Sequence, residues 1–239
     1  MSYIGVDGSK DKWICVEITM GELPDIKILN TVEDIWDNYN NDEIILIDIP
    51  IGLRESGTQE RFCDKEARRL LGWPRRCSVF RAPCRAVLDA RDYNEARSIS
   101  KEKIEKSLSI QTWSIKDKIK QVDDFLSGNS YARLKIREIH PELCLWALNG
   151  GRPMRFSKKT LEGLHERKQV LCRAYSQASE VINLATNKYK QKVALNDVID
   201  ALAAAVTAFL GKGRLLSIPE NPEIDSNGLR MEMAYYILS

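Results

Sequence analysis

The chain has 239 residues, 29% of them charged and 44% hydrophobic, with a formal net charge of +2. That length suits one large domain or two small ones and can bury a sizeable core. The near balance of charge excludes a globally basic nucleic-acid binder, so any phosphate-binding surface has to be a local patch. No apolar run approaches the length of a membrane span and the first residues show no signal-peptide pattern, so a cytoplasmic protein without membrane association is expected. Cysteines at 15, 63, 77, 84, 144 and 172 form no Cys-x-x-Cys pair, which argues against a zinc ribbon or a thioredoxin-type motif. His140 and His165 are the two histidines, too few for a His-rich zinc site and a poor start for a Ser-His-Asp triad. A metal site in this chain has to be built from carboxylates, which favours magnesium or manganese.

Tyr3 to Val6 is a short apolar run followed by Asp7-Gly8, and residues 8–12 are turn material. Trp13 to Thr19 completes a hairpin, and Lys27 to Leu29 adds a third strand. Asp7 is an ordinary turn residue if taken alone. Thr31 caps a short helix through Trp36, with Glu33 and Asp34 in its first turn. Ile44, Ile45, Leu46 and Ile47 then form an apolar run without polar alternation, the pattern of a central strand covered on both faces. Asp48 ends that run, and Pro50 and Gly52 stop the strand. The carboxyl ends of such strands are where ligand crevices form. Asp48 either serves such a crevice or accepts hydrogen bonds from the turn backbone.

Glu60 to Leu71 has the charge order of a helix, acids first and Arg68 and Arg69 last, stopped by Gly72 and Pro74. Arginines follow densely at 61, 68, 69, 75, 76, 81, 85, 91 and 97, with Trp73 and Phe80 among them. Two readings stand level: a phosphate-binding surface with stacking rings, or a solvated face paired with nearby acids. Under the first, Arg75, Arg76, Arg81 and Arg85 are candidate substrate contacts.

Ile99 to Leu126 has one helical stripe through Leu108, Ile115, Ile119 and Val122. Leu134 to Ile139 is a strand with Glu138 near its end. Pro141 starts a helix behind His140, with Glu142 in the first turn and Gly150-Gly151 closing it. Lys158 to Leu184 is a second long helical pattern, with His165, Arg167 and Lys168 near its start. Leu195 to Leu210, LNDVIDALAAAVTAFL, is a helix with a broad apolar side and a narrow stripe of Asp197, Asp200, Ala201, Ala204 and Ala208. The small residues let this stripe lie close to a sheet and press both acids towards its end. Asp197 also suits the helix dipole, whereas Asp200 falls in the second turn with no capping role. Gly228 to Leu238 is a final strand with Met231, Met233 and Tyr235 on one side. No repeat or linker divides residues 1–239.

Asp7, Asp48, Asp197 and Asp200 therefore form a candidate set. Carboxylates shared between two hard cations are the apparatus of phosphoryl displacement. A three-stranded hairpin, an acid on the first strand, an acid closing the fourth and a D-x-x-D helix near the end resemble the RNase H-like superfamily. The acid order is closest to its Holliday-junction-resolvase branch. More narrowly, the chain resembles the domain-of-unknown-function 429 family, labelled predicted RNase H-like nucleases. The stretches that carry this are GVDG at 5–8 with Trp13, IDIPIGL at 47–53, CDKEARRLLG at 63–72 and SVFRAPCR at 78–85. EIHPELCLWALNG at 138–150, DVIDALAAAVTA at 197–208 and GLRMEM at 228–233 match as well.

The resemblance implies an α/β fold with a central mixed five-stranded sheet flanked by helices. An Arg-rich helical insertion at about 54–130 follows the fourth strand. It implies Asp7, Asp48, Asp197 and Asp200 as metal-binding catalytic acids for Mg2+ or Mn2+, with Glu138, His140 and Glu142 at the rim. Arg75, Arg76, Arg81, Arg85 and Lys168 are the expected substrate contacts. The activity it implies is phosphodiester hydrolysis of nucleic acid, with homodimerisation left open. Two alternatives stay beside it: a non-catalytic scaffold, and a small ATPase of the actin-like relatives. The chain is short for two actin-like domains and lacks paired phosphate loops.

Overall fold

The computed structural model describes residues 1–238. Five strands, β1 (Ser2–Ser9), β2 (Lys12–Thr19), β3 (Asp25–Leu29), β4 (Ile44–Ile47) and β5 (Ile136–Glu138), form one sheet in the order β3-β2-β1-β4-β5. The first three pair antiparallel, while β4 runs parallel to β1 and β5 parallel to β4. This mixed, helix-flanked sheet is the expected architecture and is consistent with an RNase H-like fold.

The apolar run of β4 is covered on both faces. Leu46 packs with Tyr3, Val16 and the late helices α7 (Pro141–Leu148), α8 (Leu161–Ala174), α9 (Ala178–Lys188) and α10 (Leu195–Gly211). Ile45 and Ile47 face the other way, into a core shared with α1 (Val32–Tyr39) and α5 (Lys116–Gly128). Thr31 caps α1 in a reciprocal capping box with Asp34. Between β4 and β5 lie α2 (Phe62–Leu71), two 3-10 turns (Arg75–Ser78 and Arg85–Asp89), α3 (Tyr93–Ile104), α4 (Ile110–Ser114), α5 and α6 (Ala132–Lys135).

Several boundaries differ from expectation, each for a local reason. Asp7 and Gly8 lie inside β1, opposite Ile14 and Trp13, and the hairpin turns at Lys10-Asp11 instead. The helix expected over 99–126 is three helices. Glu105 turns left-handed (φ 54°) after α3, and Ser109 caps α4. Leu108 accordingly packs with Val87 and Ile104, away from the Ile119–Val122 stripe. Leu134 lies in α6, exposed, so β5 starts only at Ile136. The long pattern over 158–184 splits at Tyr175 into α8 and α9 and leaves Lys158 in a loop before α8. The final strand, β7 (Arg230–Tyr235), pairs with an unexpected partner, β6 (Leu216–Ile224), in a separate two-stranded sheet. Two prolines in LSIPENPEI hid β6, since proline argues against a paired strand. Glu232 is buried between Met231 and Met233 and paired with Arg137, so β7 is covered on both sides.

All six cysteines are free, with Cys15, Cys63, Cys84 and Cys144 buried. Among the described residues, no helix is long and apolar enough to cross a membrane.

Candidate functional site

Strand register brings the first two acids together. Val6 of β1 stands opposite Ile47 of β4 in a parallel pair, so the next residue of each chain, Asp7 and Asp48, emerges at the same end of the sheet. The Asp48 amide donates to the Val6 carbonyl at 2.9 Å, which extends the pairing by one residue and fixes where Asp48 leaves the strand. Both acids sit at the carboxyl end of parallel neighbours, the place where crevices open in α/β sheets.

The third acid arrives on α10. A Cβ on Gly5 would overlap the Ala201 carbonyl and the Ala205 amide, so this helix lies against β1 more closely than any side chain there would allow. Asp200, one residue before Ala201, is carried to the level of Asp7. The three carboxylates line one cavity of about 740 Å3. Asp197 is half-buried and does not line it, although its charge still bears on Asp7.

Burial pushes all three acids up, and repulsion from neighbouring carboxylates adds to it. Burial acts most strongly on Asp7, followed by repulsion from Asp48, Asp200 and Asp197, and holds it well above the carboxylate range. Burial and the Asp200 charge raise Asp48 to about 8. Asp200 is raised by burial against the pull of Lys158, whose Nζ lies 2.6 Å from its Oδ2. The Lys158 ammonium also feels Asp48 and Asp7, which together with Asp200 hold its pKa above the usual lysine value against partial desolvation. Lys118 projects from α5 into the same cavity, its Nζ 2.6 Å from the Lys12 carbonyl and 4.2 Å from the centre of the Trp13 ring.

Among the described residues, no three His, Cys, Asp or Glu side chains are gathered into a ready-made metal site. In donor chemistry, the acids suit a hard cation: they offer carboxylate oxygens, and burial and like charge make an added positive charge favourable. What stands on them is the Lys158 ammonium.

Glu138, His140 and Glu142 also line this cavity, each with its own constraint. Glu138 is buried and clasped by Arg61 through two 2.8 Å contacts. Its Oε2 also accepts the Ile51 amide at 2.6 Å, while Arg61 donates to the Ile51 carbonyl at 3.0 Å. Asp64 binds Arg61 on its other side and accepts the Ala82 amide at 3.2 Å. These buried ion pairs fix the 49–53 turn that follows Asp48 and join it to the insertion. Burial lowers His140 to about 4, so the ring is neutral at pH 7. Glu142 is paired with buried Arg167.

The arginines divide between the two readings. Arg85 is committed to Glu55, Asp123 and Asp225, away from the cavity. Arg61, Arg68, Arg69 and Arg91 are paired with acids. Arg75 and Arg81 line the cavity and bond to carbonyls, at Phe156 and Thr58. Arg76 is exposed, and both it and Lys168 lie outside the cavity lining. Sequence reasoning missed Lys158, Lys118 and the role of Arg61; for Arg61, the one available signal was an arginine three residues before Asp64 at the start of a helix.

No curated protein and no solved structure matches the chain. Residues 5–224 match a family described as proteins of unknown function, DUF429, and the chain belongs to that family.

Proposed function

We propose that this protein is a cytoplasmic, divalent-cation-dependent phosphodiester hydrolase acting on nucleic acid. The observation that carries the reading is the meeting of Asp7, Asp48 and Asp200, from three separate segments, with Lys158 in one cavity at the carboxyl end of the sheet. Magnesium or manganese, when bound, supplies charge stabilisation on the phosphate oxygens. Asp7, Asp48 and Asp200 are the residues to hold it, with Asp197 one turn back on α10. To hold it, Asp7 and Asp48 would give up the protons that burial favours on them. Lys158, paired with Asp200 in this structure, would contact a phosphate oxygen, and Lys118, Arg75 and Arg81 would steady the flanking phosphates. Hydrolysis consumes one water. Its oxygen bonds to phosphorus, the bond from phosphorus to one sugar oxygen breaks, and the water's proton ends on that leaving oxygen. The neutral His140 ring and the Glu142–Arg167 pair hold the cavity wall. Six free thiols, four of them buried, support a reducing compartment.

The scaffold reading has one observation in its favour: Lys158 balances Asp200 without any cation. Incubation with labelled oligonucleotides in manganese, with EDTA as control, separates the two. Cleavage that needs manganese and disappears in Asp200→Asn supports the hydrolase. Manganese that neither raises the melting temperature nor supports cleavage overturns it in favour of the scaffold.

A further inference from the structure

The insertion does more than sit beside the acids. Arg75 and residues 77–82 line their cavity, and Thr112, Ser114, Ile115 and Lys118 continue that lining. Residues 157–159, in the loop before α8, line it as well. The insertion segment is tied to its neighbours at two points. Arg75, on the insertion, donates to the Phe156 carbonyl at 3.2 Å, and the His140 ring nitrogen Nε2 lies 3.3 Å from the Ser78 carbonyl. The cavity has a volume of about 740 Å3. It falls within the about 300–1,000 Å3 of sites that enclose small ligands.

Cations and an aromatic ring line the same cavity. Lys10, Arg75, Arg81, Lys118, Lys158 and Lys159 all border the cavity, around the three acids. Phe80 lines it too and is 43% exposed, an apolar side chain open to solvent. A positively charged channel with an exposed aromatic face is the composition that binds single strands: the cations follow the phosphates and the ring stacks a base. A duplex keeps its bases stacked on each other and would leave Phe80 without a partner.

Resting on the hydrolase reading above, we infer that the substrate is single-stranded nucleic acid, entering as a segment of a few nucleotides. One phosphate lies against Lys158 beside the three acids, and a neighbouring base stacks on Phe80. The insertion selects against duplex by walling and bridging the cleft.

The test is fluorescence anisotropy with the full chain in EDTA, where no turnover occurs. A labelled six-nucleotide strand and a blunt duplex carrying the same sequence are titrated at two salt concentrations. The single strand is expected to bind at least tenfold more tightly than the duplex. Phe80→Ala should weaken the single strand by about tenfold, within the range for loss of one stacked base, and leave the duplex unchanged. Phe80→Tyr should restore it. Equal or tighter binding of the duplex, absence of single-strand binding, or a Phe80→Ala variant that binds the strand like wild type overturns the inference. A parallel cleavage assay in manganese keeps the two conclusions apart. Duplex bound tightly and cut leaves the hydrolase and removes the single-strand preference. A single strand bound through Phe80 and never cut removes the hydrolase and retains the ligand class.

Discussion

Replacing Asp48 with asparagine should stabilise the cation-free protein, and by an amount that depends on pH. Burial and the Asp200 charge raise the folded-state pKa of Asp48 from an ordinary 3.8 to about 8. Between those values the unfolded chain has released the proton and the folded chain keeps it. The folded state therefore binds more protons, and stability falls with rising pH by about 1.4 kcal/mol per unit. Across the whole window the upper limit is on the order of 5 kcal/mol. Asp48 is half-buried, so solvent screening reduces the expected effect to about 1–3 kcal/mol at pH 7. Asp7 and Asp200 titrate alongside it, so the transition observed in wild type belongs to the cluster. Asparagine has nearly the same shape and no proton to lose. Urea unfolding in EDTA at several pH values should give similar stabilities near pH 4. The mutant should then pull ahead as the pH rises, with a gap that stops widening above about 8. Manganese should raise the melting temperature of wild type and leave the mutant's nearly unchanged. A mutant less stable than wild type at pH 7, by a margin that ignores pH, would refute the reasoning and show an Asp48 held by fixed hydrogen bonds.

Three further perturbations probe the supports of the site. Lys158→Met removes an ammonium that is about half exposed, so the cost in EDTA should stay below about 1 kcal/mol. Because Asp200 is then free, the manganese-induced shift in melting temperature should grow, and a shift that shrinks would mean that Lys158 helps to position Asp200 for the ion. Arg61→Met strands Glu138 and Asp64 in the interior and should cost about 3–5 kcal/mol by urea denaturation at pH 7. A loss under 1 kcal/mol would show that the 49–53 turn does not depend on it. Gly5→Ala drives a methyl group into the backbone of α10 and should cost at least about 1–3 kcal/mol. The same change should weaken manganese stabilisation, since Asp200 rides on that helix; a wild-type melting temperature would contradict the close approach.

The sheet was legible where side-chain chemistry alone decides the outcome. Ile44 to Ile47 has no polar alternation, and Ile45, Leu46 and Ile47 are buried against helices on both faces. The alanine stripe of α10 announced a close contact, and Gly5 on β1 is what receives it. Elements failed where long-range pairing overrode a local signal. Asp7-Gly8 has turn chemistry, yet pairing with Trp13 and Ile14 keeps both in strand. The helical period over 99–126 persists through a left-handed residue and a new cap, because periodicity carries no information about where a chain changes direction.

The site follows the same division. Asp200 was identifiable because an acid in the second turn of an alanine face has no local partner. Its neighbour Asp197 satisfied the same pattern and still falls outside the cavity. The reason is helix geometry. Ala205 and Ala201 meet Gly5 while Asp200 reaches Asp7, so α10 runs against the direction of β1. Each earlier residue then moves about 1.5 Å beyond the strand ends, and Asp197 stands about 4.5 Å further out than Asp200 along the helix. Lys158 left no trace in the sequence. It looked like the start of a helix, a position where a lysine opposes the dipole. Its partner is 42 residues away, and only the fold of the loop before α8 brings the two together. A cluster of acids therefore announces itself by the local roles its members do not fill, whereas the cation that balances it is chosen by tertiary structure.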